Sequence, residues 1–308
     1  MVRDIFIDTL MDIAATDPNV MLITGDLGFG VVEKFENTYP SQYINVGVAE
    51  QNMTALAAGL ALSGKTVFTY SIANFPTLRC LEQIRNDVCY HKANVVAVSI
   101  GGGFSYGGLG ASHHATEDMA ILRALPNMHA LVPSDAFEVR EATKYLAKGI
   151  GAGYLRLDKT MPNTTGAKEE FEYGKARLLR QGSDATLIVS GGILKDALEA
   201  SDILAEKGIS VRILTMPSIS AIDMGSIATA IEETKAIFTV EEHRVVGGLG
   251  SAVAELVLEM GLKPSVFQRL GIRGIGFVND VGTQNYMKKI SQLDSVGLAD
   301  QIELSLKV

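Results

Sequence analysis

The 308-residue chain is poor in cysteine and contains no long uninterrupted apolar run. Its two cysteines, Cys80 and Cys89, are nine positions apart, and no Cys/His cluster has the spacing of a zinc site. We therefore interpret both as small apolar residues in a reducing compartment. The longest apolar run is broken by Ser63, Gly64 and Lys65, which leaves it too short to span a bilayer.

Positive charge is also scarce, and the N-terminus lacks a basic start followed by an apolar core. The net charge of −8 argues against nucleic acid or an anionic membrane as a main partner. The missing secretion signal predicts a soluble, cytoplasmic protein. An anionic substrate would have to be met by a few local arginine or lysine side chains.

What the sequence does contain is a regular alternation of short apolar β-runs with segments of helical periodicity. Residues 20–24, 66–70 and 94–100 are such β-runs, and 47% of the chain is hydrophobic. Strands that alternate with helices predict parallel sheets covered on both faces. We therefore predict an α/β protein with two domains, each a mostly parallel sheet covered by helices on both faces.

A polar, turn-rich stretch begins near Asp158 and separates the two series of strands and helices. We place the first domain at residues 1–160, a linker at 161–174 and the second domain at 175–308.

One carboxylate stands at the start of a predicted helix. An apolar extended segment ends at Gly47, and Glu50 follows directly before a helix that runs to Leu62. Such a position lies at the carboxyl edge of a parallel sheet, where open α/β sheets bind ligands. One interpretation is that Glu50 only favours the helix dipole, worth ~0.3–1 kcal/mol. Its small apolar neighbours would make an unpartnered carboxylate costly, so we predict a ligand or a donor for Glu50.

A glycine-rich loop, residues 101–110, follows another predicted strand. It lacks the Lys-Ser/Thr of a P-loop, and Tyr106 replaces the third glycine of GxGxxG. We interpret it as a mobile active-site loop whose backbone passes close to a ligand. His113 and His114 follow it and make a poor metal pair. His113 is either a loop residue without a task or a proton carrier.

Arg3 and Arg156 are the candidates for anion binding. Arg156 lies between Leu155 and Leu157 at the end of a predicted strand. A charge flanked by core residues usually has an anionic partner, and a guanidinium suits phosphate, sulfonate or carboxylate. An internal salt bridge explains Arg156 equally well.

Several motifs, taken in order, resemble the pyrimidine-binding domain of transketolases. These thiamine-diphosphate enzymes are related to 1-deoxyxylulose-5-phosphate synthase. Residues from about 175 onwards resemble the family's C-terminal domain, so the resemblance covers nearly the whole chain. The motifs are Ile44–Met53, Tyr70-Ser71, Glu82–Asn86, Ser112-His113, Leu125–Met128 and Pro133–Asp135.

The resemblance implies a mechanism. In the family, the glutamate matched by Glu50 hydrogen-bonds N1′ of the cofactor's aminopyrimidine and stabilises the imino tautomer, which removes the thiazolium C2 proton. The resulting ylid attacks a ketose, and a two-carbon unit passes to an aldose. His113 matches the histidine that lies over the thiazolium and assists substrate proton transfer. We add the neighbouring His114 as a substrate-binding candidate.

The resemblance also implies contacts to the cofactor and the substrate. Asp26 matches an acidic residue near the cofactor. Phe75 is the first candidate for the ring that stacks on the pyrimidine, and Tyr70 is the second. Arg3 and Arg156 match arginines that hold the substrate's terminal phosphate.

The family's metal and diphosphate motif, Gly-Asp-Gly followed by Asn, is absent from this sequence. The chain therefore resembles the C-terminal subunit of a split transketolase. This implies that Mg²⁺ and the diphosphate are held by an N-terminal partner subunit, with no metal ligands in this chain. Because transketolase sites form between protomers, self-association through pyrimidine domains into an α2β2 heterotetramer is also implied.

Three substrate positions depart from the family pattern. Leu109 stands where many transketolases have an aspartate, Gly101 or Gly102 where they have a histidine, and Gly30 lies near the position of a phosphate-binding serine. A modified sugar, branched or bearing a sulfonate, therefore fits as well as an ordinary sugar phosphate.

Two other functions stay open. The β subunit of a 2-oxoacid dehydrogenase, or an enzyme like 1-deoxyxylulose-5-phosphate synthase, would share this architecture. The second alternative is a non-catalytic assembly subunit, although the presence of both Glu50 and His113 speaks against it.

Overall fold

The computed structural model describes residues 2–161, 170–234 and 236–307. Most of the predicted linker at 161–174 lies outside the described residues. The chain forms two units, each built on one β-sheet. Within the described residues, no helix is both long and apolar enough to cross a membrane.

The first unit contains six strands: β1 (Val20–Thr24), β2 (Tyr43–Asn45), β3 (Thr66–Ile72), β4 (Val95–Ile100), β5 (His129–Leu131) and β6 (Gly153–Leu157). They form one sheet in the order β2-β1-β3-β4-β6-β5, and every neighbouring pair is parallel. Its helices are α1 (Val2–Ala14), α2 (Glu33–Thr38), α3 (Glu50–Leu62), α4 (Leu81–Gln83, continued by a π-helix at Ile84–Cys89), α5 (Asp118–Arg123) and α6 (Ala136–Leu146).

Helices cover both faces of this sheet because alternate strand residues point to opposite sides. Phe68 and Tyr70 of β3 pack in one buried cluster with residues of α1 and α6. Val67, which precedes Phe68 in the strand, packs in the other cluster with Met53 and Ala57 of α3. The face of the sheet that carries α3 is therefore opposite to the face that carries α1.

The second unit contains β7 (Arg177–Arg180), β8 (Ala185–Ser190), β9 (Val211–Thr215), β10 (Ala236–Arg244) and β11 (Val266–Ile272). The order is β11-β10-β8-β9-β7, and only β7 pairs antiparallel to its neighbour. Its helices are α7 (Leu194–Glu206), α8 (Met224–Thr234), α9 (Leu249–Glu259), α10 (Gln284–Ile290) and α11 (Ser295–Leu306). The predicted fold class is confirmed: two α/β units, one fully parallel and one mostly parallel. The boundaries proposed for the domains stay a prediction.

The two units share a buried interface. Val132, just after β5, donates its N–H to the carbonyl of Pro217 at 2.6 Å. Arg177 of β7 forms buried ion pairs with Asp135 at 2.9 Å and Glu138 at 2.8 Å, at the start of α6. These contacts fix the carboxyl edge of the first sheet against the second unit.

Candidate functional site

The turn after β2 is organised by one amide side chain. The Oδ1 atom of Asn45 accepts hydrogen bonds from the N–H groups of Asp26 and Gly47, each at 3.0 Å. Asp26 and Gly47 both have left-handed backbones, with φ of 59° and 71°. This arrangement ties the carboxyl ends of β1 and β2 together and leaves Asp26 exposed beside them. This role of Asn45 was not predicted from the sequence.

Glu50 is the first residue of α3, and it is buried, with 3% of its surface exposed. Its Oε2 atom accepts a hydrogen bond from Nη1 of Arg79 at 2.8 Å. A ligand or a donor for this carboxylate was predicted, but Arg79 was not identified from the sequence. A side chain at position 25 would have little room, because the Cβ atom would lie 3.3 Å from the carbonyl oxygen of Gly47.

Two rings continue the contacts that begin at Glu50. The guanidinium carbon of Arg79 lies 4.9 Å from the centroid of the Phe75 ring. Phe75 in turn meets the imidazole of His113 edge to face, with 5.3 Å between centroids. Nδ1 of His113 lies 3.0 Å from the hydroxyl oxygen of Ser112. Glu50, Arg79, Phe75 and His113 thus form one continuous row at the carboxyl edge of the first sheet.

Residues 1–163 match the family model "Transketolase, pyrimidine binding domain", and residues 174–275 match "Transketolase, C-terminal domain". The chain belongs to the transketolase family. It is 39% identical over 260 residues to a subunit of an apulose-4-phosphate transketolase from Phocaeicola vulgatus, with 83% of each chain covered. It is 34% identical over 289 residues to the 6-deoxy-6-sulfo-D-fructose transketolase subunit SqwH from Clostridium sp. strain MSTE9, covering 93% of this chain and 88% of that subunit.

A solved structure of a split gene transketolase, described as an inactive beta4 tetramer, has the same fold. Its TM-score is 0.88 at 32% identity, and the match covers 99% of this chain and 98% of that one. Transketolases use thiamine diphosphate, so the residues at the carboxyl edge can be compared with what an aminopyrimidine needs. Glu50 provides a buried acceptor, and the half-exposed ring of Phe75 provides a stacking surface close to it. Both fit that part of the cofactor.

The second candidate for the transketolase stacking ring, Tyr70, does not fit. It is buried on the α1 face of the sheet and stacks on Phe6 with 6.0 Å between centroids. Burial raises the pKa of its hydroxyl well above the ordinary value. Because α3 and Glu50 lie on the other face, the prediction for Tyr70 is corrected, and the role of Phe75 stays a prediction.

His114 also requires a correction. It is buried, its Nε2 lies 3.3 Å from the carbonyl oxygen of Gly107, and its ring packs edge to face on Phe104. The side chain is therefore enclosed within the glycine-rich loop, and a substrate cannot reach it. His113 is half-exposed and stays a candidate.

Arg156 is fully buried and serves as an internal salt bridge. Its Nε lies 3.0 Å from Oδ2 of Asp118, and its Nη2 donates to the carbonyls of Ala115 at 3.2 Å and Glu242 at 3.0 Å. The prediction that Arg156 holds the substrate is therefore corrected, and the alternative interpretation of Arg156 applies.

A different cation lines a cavity at the glycine-rich loop. Lys159 lines a cavity of about 550 Å³ together with Tyr106 and the start of α10, and its Nζ lies 5.8 Å from the Tyr106 ring centroid. Burial raises the pKa of Tyr106, while the charge of nearby Arg3 opposes that shift. Arg3 and Lys159 are thus both neighbours of Tyr106. Lys159 was not predicted from the sequence, although it follows Arg156 by only three positions.

At the start of the glycine-rich loop, side chains of the protein itself leave no room for a Cβ atom, so glycine is needed there. A Cβ atom at Gly102 would clash with Arg156 and Asp158, and one at Gly103 would lie 2.6 Å from the carboxylate of Glu242. Glu242 also accepts from the N–H of Phe104 at 2.6 Å. The interpretation as a mobile loop shaped by a ligand is therefore corrected for this part of the loop, which packs on the second unit.

The corresponding edge of the second sheet is filled from within the chain. Open sheets bind ligands where the strand order reverses, here between β8 and β10. At that point the carboxylate of Asp158 accepts from the N–H of Gly192, just before α7. Glu241 accepts from the N–H groups of Leu249 at 2.8 Å and Gly250 at 2.9 Å, at the start of α9. The helix starts that would hold an anion are thus occupied by the transketolase chain's own carboxylates.

The described part of the chain contains no group of three or more His, Cys, Asp or Glu side chains that could hold a metal ion. Cys80 and Cys89 are both free and buried. Burial raises the pKa of both thiols, that of Cys89 to about 11.

Proposed function

We propose that this chain is the C-terminal subunit of a split transketolase that transfers a two-carbon ketol unit from an anionic ketose to an aldose. The observation that carries the proposal is the row formed by Glu50, Phe75 and His113 at the carboxyl edge of the first sheet. Glu50 can hydrogen-bond the cofactor, Phe75 can stack on it, and His113 can transfer a proton.

Thiamine diphosphate, when bound, supplies the nucleophilic carbon that adds to the ketose carbonyl. Glu50 would hold the aminopyrimidine through N1′, and Phe75 would stack on its ring and fix its orientation. Asp26, which is exposed, follows Gly25 beside Glu50 and would contact the same group. His113, half-exposed beside Phe75, would move a proton at the substrate hydroxyl.

The substrate is an anionic sugar held by Arg3 and Lys159, the two cations beside Tyr106. The related subunits are named for a phosphorylated sugar and a sulfonated sugar, which supports an anionic tail here. Gly102 leaves no room for a histidine, because Arg156 and Asp158 occupy that space. We therefore favour a modified sugar over an ordinary ketose phosphate.

Mg²⁺ and the diphosphate would be held by an N-terminal transketolase subunit. The exposed apolar side chains of Phe29, Val48, Leu78 and Leu109 stand in the segments that carry the site residues, and a partner would cover them.

The outward face of α3 carries exposed small and apolar residues, including Leu56 and Leu62. We assign this face to self-association, which gives an α2β2 assembly. The two buried free thiols are consistent with a reducing compartment, and we place the protein in the cytoplasm.

The test is to express this chain with a diphosphate-binding transketolase subunit and to measure two-carbon transfer from phosphorylated and sulfonated ketoses. A Glu50→Gln variant should assemble normally and lose activity by at least about a hundredfold. Full activity of that variant would overturn the role of Glu50. Release of CO₂ from 2-oxoacids would favour the dehydrogenase alternative, and intact assembly without cofactor binding would favour the assembly subunit.

A further inference from the structure

Arg79 makes the two contacts that the proposed function assigns to the cofactor's aminopyrimidine. Its guanidinium donates to Oε2 of Glu50 at 2.8 Å and lies over the ring of Phe75 at 4.9 Å from the centroid. We propose that Arg79 competes with the aminopyrimidine for Glu50 and Phe75, and that cofactor binding moves its guanidinium away. The inference rests on the proposed function.

A guanidinium can replace an aminopyrimidine because the two groups share shape and chemistry. Both are planar, both stack on an aromatic face, and the guanidinium presents in its plane the kind of N–H donor that the imino form of the aminopyrimidine carries at N1′. The carboxylate of Glu50 is buried and needs a donor, and Arg79 is the donor that the structure gives it. The ion pair therefore stabilises Glu50 in the geometry that the cofactor would use.

Arg79 can also leave this position easily. Its side chain is 49% exposed, whereas that of Glu50 is 3% exposed, so only the arginine has a solvated alternative. It belongs to the turns that precede α4, and its other contact is the stacking on Phe75. Rotation of the long side chain into solvent needs no change in the backbone.

The competition has a consequence for affinity. If cofactor binding must break the Arg79–Glu50 ion pair, removal of Arg79 strengthens binding by the free energy of that pair. Partly exposed pairs are modest, so we expect about a three- to tenfold tighter dissociation constant. Removal also leaves Glu50 without its donor, which lowers the melting temperature of the chain before ligand is added.

The experiment compares the full-length chain with Arg79→Met, which keeps an apolar stem over Phe75, and with Arg79→Lys, which keeps the charge without the planar group. Arg85→Met is the matched control, because Arg85 is bonded to Asn86 rather than to Glu50. Calorimetry and thermal unfolding are run with thiamine diphosphate and with 4-amino-5-hydroxymethyl-2-methylpyrimidine, both on the chain alone and on its complex with a diphosphate-binding subunit.

Tighter binding of both probes by Arg79→Met, a smaller gain for Arg79→Lys and none for Arg85→Met support the competition. Equal or weaker binding of the probes by Arg79→Met overturns the competition. If Arg79→Met does not fold, Arg79→Lys decides, and binding by Arg79→Lys that equals the wild type also overturns the competition. A Glu50→Gln arm separates the two proposals. If no protein binds either probe, or if the complex with Glu50→Gln keeps full transfer activity, the proposed function fails and this inference fails with it.

Discussion

The carboxylate of Asp158, at the end of the first sheet, accepts a hydrogen bond from the backbone N–H of Gly192, at the start of a helix of the second unit. Asp158 is buried, and it lies near Arg156 and Glu242. One side chain of the pyrimidine-binding unit thus occupies the position where a free-standing α/β domain would bind a ligand. The second unit is thereby committed to packing against the first.

Replacement of Asp158 by alanine should destabilise the whole chain. The change leaves the N–H of Gly192 without its acceptor and removes a charge from a buried network, which costs about 3 kcal/mol. Urea unfolding followed by circular dichroism measures the loss. The control is Asp202→Ala, because Asp202 forms an exposed ion pair with Arg180 and should cost well under about 1 kcal/mol. Equal midpoints for the two variants would contradict the prediction.

The stability of the interface between the units should depend on pH through Glu242. Burial raises the pKa of this carboxyl group to about 7. A carboxyl group whose pKa is higher in the folded than in the unfolded chain stabilises the fold below the unfolded value of about 4.3, and this contribution is lost as the pH rises through about 7. Burial lowers the pKa of His243, so this residue has the opposite effect: its contribution to the stability of the chain decreases as the pH falls.

A substitution isolates the contribution of Glu242. Glu242→Gln keeps an acceptor for the N–H of Phe104 but removes the titration. Relative to the wild type, the variant should gain on the order of 2 kcal/mol in unfolding free energy between about pH 5 and about pH 8. Urea midpoints at the two pH values measure the gain. The control Glu206→Gln, at an exposed site, should show no such gain. If the difference in unfolding free energy between Glu242→Gln and the wild type is the same at both pH values, Glu242 does not titrate in this range.

Phe75 and Tyr70 should differ sharply in their effect on the cofactor. Phe75→Leu should weaken thiamine diphosphate binding about tenfold, because the stacking surface beside Glu50 is lost. Tyr70→Phe should leave the affinity unchanged, since the hydroxyl of Tyr70 lies on the opposite face of the sheet. Calorimetric titration of the assembled complex gives both dissociation constants. An effect of Tyr70→Phe larger than that of Phe75→Leu would reverse the assignment.

The sequence predicted what depends on local pattern and on the order of motifs. Alternating β-runs and helices indicated both α/β units, and the motif order assigned Glu50, Phe75 and His113 to one site. It could not separate a buried salt bridge from a substrate contact at Arg156. That distinction depends on Asp118, which is distant in sequence and meets Arg156 only in the folded chain.

Arg79 is a second residue whose contact could not be predicted from the sequence. Its pairing with Glu50 spans 29 positions and has no local signal, because an exposed arginine in a turn resembles any solvated residue. The sequence indicated that another group closely approaches the glycines of the glycine-rich loop, but it did not indicate which group. Only the tertiary structure identifies it as Glu242 and Arg156 rather than a ligand.

Lys159 and Arg156, three residues apart, should therefore give opposite phenotypes. Lys159→Ala removes an accessible cation beside the cavity and should raise KM for an anionic sugar about tenfold, with the unfolding midpoint unchanged. Arg156→Met leaves the buried Asp118 without its cation and should cost about 3–5 kcal/mol of stability. Steady-state kinetics of the assembled complex and urea unfolding of the chain measure the two effects.

A neutral sugar of the same length provides the control, because Lys159→Ala should leave its KM unchanged when the lost interaction is with the anionic tail. Lys159→Arg keeps a cation and should recover most of the affinity for the anionic sugar. If Lys159→Ala raises KM equally for neutral and anionic sugars, the lysine contacts a different part of the substrate. If Arg156→Met raises KM without any loss of stability, Arg156 contacts the substrate despite its burial.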